Sequence, residues 1–388
     1  MQSLEIRAQK GKEIADVFGS INRLDETTYK VKSQRLDMYY EVLSTERGWS
    51  CQCADHQFRG VKCKHIWAVE FSFAIRRLVQ KEVVIEPVNI SNCPKCKSEN
   101  VKKAGIRKNK YGNIQKFQCK DCSYWFTVNL GFEHMKHSPQ AISSAMQLYF
   151  SGESLRHTQD FLALQGVKIS YVGIYKWINK YISLMQKYLN KIQPQVGNAW
   201  RTDEVYVKVR GNPKYLFAMM DDETRFWIAQ EVADHKGTSD VKPMFREAQR
   251  IAGKNPTSII SDGASNFAEA TTNVFYNRNL TRDEQVKHIR DITFDGERHN
   301  NKQERFNGEF RDREKVIRGV KKADSPIFQG AQIYHNFIKP HMALKDEMTP
   351  AEAAGIKVQG DNRWITLIQN AQLTTVNTNK IGSELTRS

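Results

Sequence analysis

The chain has 388 residues, 40% of them hydrophobic, with 59 lysines and arginines against 43 aspartates and glutamates, a net charge of +16 and a pI near 9.4. That length suits two or three domains, and that charge points to a polyanionic partner, either nucleic acid or an anionic membrane. No apolar run of 18 residues exists, and the start, MQSLEIRAQKGKEI, lacks a signal-peptide core, so double-stranded DNA is the expected partner, no membrane is expected, and the cytoplasm is the expected compartment.

Residues 28–53 alternate polar and apolar in the pieces TYKVKSQ, DMYYEVLST and GWSCQC, which predicts a small antiparallel sheet. Cys51 and Cys53 end its last strand. After a polar loop come Cys63 and His65, then the apolar helix IWAVEFSFAIRRL. Three thiolates and an imidazole suit tetrahedral zinc. The pattern C-x-C, loop, C-x-H before a helix is similar to a SWIM zinc finger. A buried, reduced cysteine cluster is the alternative, with His65 as a helix cap.

Two C-x-x-C knuckles follow, Cys93 with Cys96 and Cys119 with Cys122. Separated by a basic hairpin, they read as a zinc ribbon; a redox pair would need only one knuckle. Seven cysteines are an odd number for disulfides, but with His65 they make two complete structural zinc sites. Between Ser91 and His137 stand ten lysines and arginines against three acids, interleaved with Tyr111, Phe117, Tyr124, Trp125 and Phe126. On a ribbon such a run is read as a DNA contact, with Lys108 and Lys110 at its tip, rather than as a solvated face. Zinc would fold these units, whose own cores are too small.

Residues 138–192 predict three helices. Ser138 caps the first, with Pro139 at its first turn and Gly152 at its end; Ser154 caps LRHTQDFLAL, ended by Gly166; Ser170 caps YVGIYKWINKYISLMQKYLNKI. The spacing is that of a helix-turn-helix with the third helix reading DNA, through Tyr171, Lys176, Asn179 and Lys180, while Trp177, Ile178 and Ile182 form core. A plain helical linker or dimerisation bundle is the competing reading.

From Trp200 the pattern becomes strand, hairpin, helix, strand, helix, strand, and three acids stand out. Asp203 shares the parity of Val205, Val207 and Val209, so its carboxylate lies on the apolar face of a strand, a costly place unless paired or metal-bound. Asp262 ends the short strand at 258–260, with Gly263 to turn the chain away, and ligands collect at such strand ends. Glu304 falls at helical spacing with Asn300, Asn301, Gly308 and Arg311, and Arg311 suits a phosphate. Clustered carboxylates repel unless a cation lies among them. All-oxygen ligation favours Mg²⁺ or Mn²⁺ over zinc, and two such ions about 3.5–4 Å apart clamp both oxygens of a phosphoryl displacement. A lone aspartate after a strand is more often a turn or cap residue. The nearest competitors are Glu204, on the opposite strand face, and the pair Asp221 and Asp222, at an expected hairpin turn. His299 could position a phosphate or a water, or stand idle at the surface.

The ordered Asp, Asp, Glu, the run NNKQERFNGEFRDR and the later YHNFIKPHMALKDEMTPAEAAGI resemble DDE transposases of insertion sequences, of the insertion sequence six type, over roughly residues 138–357. The gap from Asp262 to Glu304 is longer than that family's, with the excess assigned to NRNLTRDEQVK. The resemblance implies a ribonuclease H-like catalytic domain related to retroviral integrases, with Asp203, Asp262 and Glu304 as its magnesium-binding triad and Arg311 as the basic residue after the glutamate. The basic stretch 311–322, Arg318 included, would flank the scissile backbone.

The expectation is therefore a multidomain α+β and α/β protein. It comprises a SWIM finger (1–88), a zinc ribbon (89–137), a helix-turn-helix segment (138–195), a ribonuclease H-like mixed sheet with flanking helices (196–357) and a polar tail (358–388) whose last ten residues are disordered. Its expected task is metal-dependent DNA cleavage and strand transfer at element termini, in a prokaryotic, nucleoid-associated setting, as a homodimer or larger assembly on DNA. The competing readings are a DNA-binding regulator with a silent nuclease fold and a ribonuclease H-like nuclease without transposition.

Overall fold

A computed structural model describes residues 2–385, apart from 16, 18–19, 24–27, 37, 46–47, 80–81, 90, 110–111 and 291–300; the side chains of 2–5, 73–79, 301–304 and 375–385 also lie outside the description. The chain forms two units. One comprises Met1–Glu82, Gln195–Val205 and Tyr215–Asn307; the other comprises Val83–Pro194, Tyr206–Lys214 and Gly308–Ser388.

Helix α1 (Gln2–Ala15) precedes four antiparallel strands in sequential order, β1 (Ile21–Arg23), β2 (Thr28–Lys32), β3 (Tyr39–Thr45) and β4 (Gly48–Cys51). A short α2 (Ala54–Arg59) leads to α3 (Lys64–Val79). The alternation places Tyr29, Val31 and Val42 in a core with Ile66 and Val69 of α3. Helix α1 lies so close to α3 that a Cβ at Gly11 would stand 2.5 Å from the Cβ of Trp67, so only glycine fits there.

Strand β5 (Val83–Ile85) pairs in parallel with a strand near the other end of the chain. It therefore belongs to the second unit, not to the finger segment 1–88. The ribbon is β6 (Val101–Asn109), β7 (Gly112–Cys119) and β8 (Trp125–Thr127), all antiparallel. Helices α4 (Pro139–Ser151), α5 (Leu155–Leu164) and α6 (Tyr171–Leu189) begin where the serines predict. The hydroxyls of Ser138, Ser154 and Ser170 accept from the backbone N–H groups of Ala141, His157 and Gly173.

The central sheet is built from β9 (Ala199–Val209), β10 (Asn212–Asp221), β11 (Trp227–Ala233), β12 (Ser258–Ser261) and β13 (Lys287–Arg290), in the order β11-β10-β9-β12-β13. Arg210 and Gly211, both with positive φ, make the two-residue turn between β9 and β10. Strand β12 runs parallel to β9 on one side and β13 on the other. Amphipathic α7 (Thr238–Ala252) connects β11 to β12, and α8 (Ser265–Phe275) connects β12 to β13. Three meandering strands followed by two helix–strand units form the mixed sheet expected of a ribonuclease H-like domain. The polar insertion before β13 is self-capped: Gln285 donates to the carbonyls of Asn277 and Leu280, and Glu284 accepts from Thr281.

Helix α9 (Asn301–Ile317) is followed by α10 (Pro326–Ile333), which widens into a π-turn at Tyr334–Ile338 before Pro340. Then come α11 (Pro350–Ala353), β14 (Ile356–Val358), which is the partner of β5, and α12 (Arg363–Leu385). The segment expected as a polar tail, 358–388, is largely helix up to Leu385, and 386–388 lie outside the described residues. Trp364, Leu367, Ile368 and Ala371 are buried, one helical face within a polar average. Helix α12 packs on α4 and α6, and the indole of Trp364 donates to Gln147 at 2.9 Å. Segment 138–195 therefore shares its core with α10 and α12 rather than standing as a separate module.

Candidate metal and nucleic-acid sites

The β3–β4 register sets Cys51 opposite buried Val42, and the start of α3 carries Cys63 and His65 to the same place. The ligand atoms of Cys51, Cys53, Cys63 and His65 lie within 4.8 Å of one another, all four residues buried. His65 presents Nδ1, 3.8 Å from the Cys51 sulfur and 4.0 Å from that of Cys63. A tetrahedron with arms of about 2.3 Å has edges of about 3.8 Å, so the set fits zinc. The ribbon ligands fit equally well: sulfurs of Cys93 and Cys122 are 3.5 Å apart, those of Cys96 and Cys119 3.6 Å. Asp121 ties the knuckles together by accepting from Ser98 and Asn100.

The acids assemble through the parallel pairing of β9 and β12. Ile259 pairs with Trp200 and Ile260 with Arg201, so two more residues along this register bring Asp262 level with Asp203 on the neighbouring strand. Asp203 is partly buried. Its Oδ1 accepts from the Glu204 N–H at 2.8 Å, and its Oδ2 accepts from the side-chain amide of Asn307 at 2.5 Å. Burial pushes its carboxyl up to about 6; the charges of Glu204 and Asp262 add to the rise, and the two donors oppose it. Asp262 is exposed, and its Oδ1 accepts from the Ala264 N–H at 3.0 Å. Glu304 lies in the first turn of α9, three residues before Asn307; its side chain is outside the described residues. Phe306 is buried against Trp227, centroids 4.7 Å apart, which seats this end of α9 on the sheet. Two carboxylates brought level at neighbouring strand ends, one of them partly buried, are a donor set suited to a hard divalent cation.

The competing acids are otherwise engaged. Glu204 forms an ion pair with Lys236. Asp222 is buried in an ion pair with Arg201. Asp221 closes the hairpin turn by accepting from the N–H and hydroxyl of Thr224.

Further along the chain, Arg311 and Arg318 are exposed, Arg318 just beyond the end of α9 with φ 56°. Within the basic stretch 311–322, Arg313 differs from these two. It is buried, its guanidinium 4.1 Å from the Tyr149 ring centre, and it donates to the Glu153 carbonyl at 3.0 Å. Its heptad-like offset from Phe306 and Phe310 is the one sequence sign of this inward position. Asn307, absent from the sequence-derived site, is the other addition; its place one turn after Glu304 is the signal for it. Arg290, at the end of β13, lies across Gly263, where any side chain would collide with it. His299 and Asn300 lie outside the described residues.

On α6, Lys176 and Lys180 are exposed while Ile174, Trp177, Ile178 and Ile182 are buried, the division the sequence predicts. Tyr171 is half-exposed, with the Arg156 guanidinium 5.5 Å from its ring centre. On the ribbon, Lys108 is exposed; Lys110 and Tyr111 lie outside the described residues. Phe117 and Tyr124 stack on buried Phe126, with centroids 5.5 and 6.2 Å away. Phe126 is buried, with Phe117 and Tyr124 half-buried against it as the ribbon's own small core, and Trp125 is exposed. Among the described residues no helix is long and apolar enough to cross a membrane.

Comparison with known proteins agrees with both halves of this description. Residues 40–73 match the SWIM zinc finger family, and residues 197–341 match a DDE domain family, DDE_Tnp_IS240. Similar curated proteins from Staphylococcus aureus are the transposase for insertion sequence-like element IS431mec and the transposase for insertion sequence element IS257 in transposon Tn4003. Each is 24% identical over 147 residues, 37% of this chain and 63% of the relative's length, so the chain spans less than two thirds of these relatives. Among solved structures, the catalytic core domain of HTLV-2 integrase in complex with magnesium aligns over 42% of this chain and 99% of its own, at 14% identity and a TM-score of 0.31. A simian T-cell lymphotropic virus intasome with PP2A regulatory subunit B56 gamma aligns over 54% and 74%, at 14% identity and a TM-score of 0.30.

Proposed function

We infer, from a chain that carries a SWIM zinc finger followed by a DDE domain, a DNA transposase that cuts at the ends of a mobile element and joins them to target DNA. The observation that carries this reading is the β9–β12 register, which sets Asp203 level with Asp262, together with the Asn307 bond that holds the Glu304 helix against Asp203. In this reading Asp203, Asp262 and Glu304 hold two magnesium or manganese ions. Those ions, when bound, supply activation of the attacking oxygen and neutralisation of phosphate charge.

The chain's own groups do the rest. Asn307 fixes the rotamer of Asp203, leaving its carboxylate pre-oriented. Arg311 and Arg318 take phosphates beside the scissile bond, Lys176 and Lys180 face DNA from α6, and Lys108 and Lys110 do so from the ribbon. Water first attacks phosphorus, leaving a free 3′-hydroxyl; that hydroxyl then attacks a target phosphodiester, whose 3′-oxygen departs. One phosphodiester replaces another, so joining needs no energy donor. Zinc in the two cysteine sets holds the finger and ribbon folded. A homodimer or larger assembly on DNA is part of the proposal, because two ends must be joined. So are terminal repeats as the recognised sequence and the bacterial nucleoid as the place of work.

The test is to incubate the protein with linear element ends, a circular target and Mg²⁺, then sequence the junctions. Ends joined through their 3′-hydroxyls are expected from the wild type and not from Glu304→Ala. Binding without cleavage or joining would sink the reading in favour of a regulator; cleavage of RNA–DNA hybrids alone would favour a plain nuclease.

A further inference from the structure

The finger contains a cavity that its zinc site does not account for. It has a volume of about 620 Å³ and is lined by α1, the turn at 33–36, α2 and the start of α3. Arg7, Lys10, Arg35, Arg59 and Lys64 line it, against the single carboxylate of Asp55. That carboxylate is already saturated: Arg7 donates to both oxygens at 2.7 and 3.0 Å, and Arg59 donates to one of them at 3.0 Å. Zinc ligands Cys53 and His65 also border the cavity, and a dication on three thiolates and an imidazole carries a charge of only about −1. Cationic charge therefore remains in excess, centred on Lys10, Arg35 and Lys64.

The walls are preformed. The Ser33 hydroxyl accepts from the N–H groups of Arg35 and Leu36, fixing the turn, and Lys64 is held by the Gln34 side chain at 2.8 Å. Like charges gathered in a fixed concavity focus a positive potential on whatever enters, the arrangement suited to a phosphate.

We propose that this cavity seats a backbone phosphate of duplex DNA, making the SWIM finger a DNA-gripping element separate from the ribbon, the helix-turn-helix and the acid site. The choice of DNA over an acidic peptide rests on the transposase reading; the cavity and its charge do not. Each phosphate neutralised releases counterions, so the grip is readable in the salt dependence of binding.

The experiment uses the full-length, zinc-loaded protein and a short duplex of arbitrary sequence, with affinity followed between about 50 and 200 mM salt. Lys10→Gln combined with Arg35→Gln is expected to flatten the slope of log K against log salt by about 0.9, the share of the one phosphate that the cavity seats. The control pair Lys345→Gln with Lys357→Gln removes the same charge from exposed sites in the other unit and is expected to leave the slope unchanged. Lys10→Arg with Arg35→Lys is expected to keep it, and unchanged zinc content certifies folding. A wild-type slope in the zinc-replete Gln pair overturns the proposal, as does equal flattening by the control, whether or not the cavity takes an acidic peptide instead. Strand joining is scored separately. Failure to join ends with the slope difference intact defeats the transposase reading and leaves the cavity standing.

Discussion

The side-chain amide of Asn307 donates to Oδ2 of Asp203 at 2.5 Å, linking the helix that carries Glu304 to the central strand of the sheet. The link tunes as well as positions, because the donor holds down a carboxyl that burial pushes up. Asn307→Ala is expected to lower strand joining about 10–100-fold, with a higher Mg²⁺ requirement and unchanged DNA affinity. A purely structural role would leave the Mg²⁺ requirement where it was.

Asp203→Asn and Asp262→Asn keep the size of each side chain and remove its charge. Either should reduce cleavage and joining by about two to three orders of magnitude while DNA affinity stays within about twofold. Gel-resolved cleavage beside anisotropy binding separates the two effects. Full activity in either variant removes that residue from the site.

The raised Asp203 carboxyl has a stability consequence in metal-free protein. Its folded value, about 6, lies above the ordinary aspartate value of 3.8, so between those pH values the folded state binds the extra proton. Stability is therefore fully present below about 4 and falls as pH rises to about 6, by at most about 3 kcal/mol. Denaturant titrations in EDTA should show Asp203→Asn gaining on the wild type across that window and holding its lead above it. Mg²⁺ added above pH 6 should narrow the lead.

Two ligand sets imply two separable zinc ions. Elemental analysis should find about two zinc per chain, falling to about one in either Cys51→Ser or Cys93→Ser. Loss of both ions from one substitution would mean the sites do not fold independently.

The helix in place of a tail makes its own prediction. Trp364 is 3% exposed and lies beside Phe150 of α4, ring centres 5.8 Å apart. Trp364→Ala should cost about 3–5 kcal/mol. Truncation after Val358 should expose the α4–α6 core and lower stability, and weaken DNA binding through the proposed contacts of α6. A truncated chain of unchanged stability would contradict the packing described here.

Features encoded over short stretches were legible from the residues alone. The C-x-C with C-x-H and the paired C-x-x-C knuckles marked both four-ligand sets that the structure gathers, because four ligands need only local turns to converge. Serine caps fixed the starts of three helices, and strand parity put Asp203 on the apolar face. Partnerships between distant segments were decided only by the tertiary structure. These include the parallel register that levels Asp262 with Asp203, the Asn307 bond across to β9, and the pairing of β5 with β14. Packing likewise turned Arg313 inward and took the ribbon's Phe117, Tyr124 and Phe126 for its core. The physical reason is that periodicity and capping report the conformation of a few neighbouring residues. Which surfaces then bury one another depends on shape and charge contributed from elsewhere in the chain.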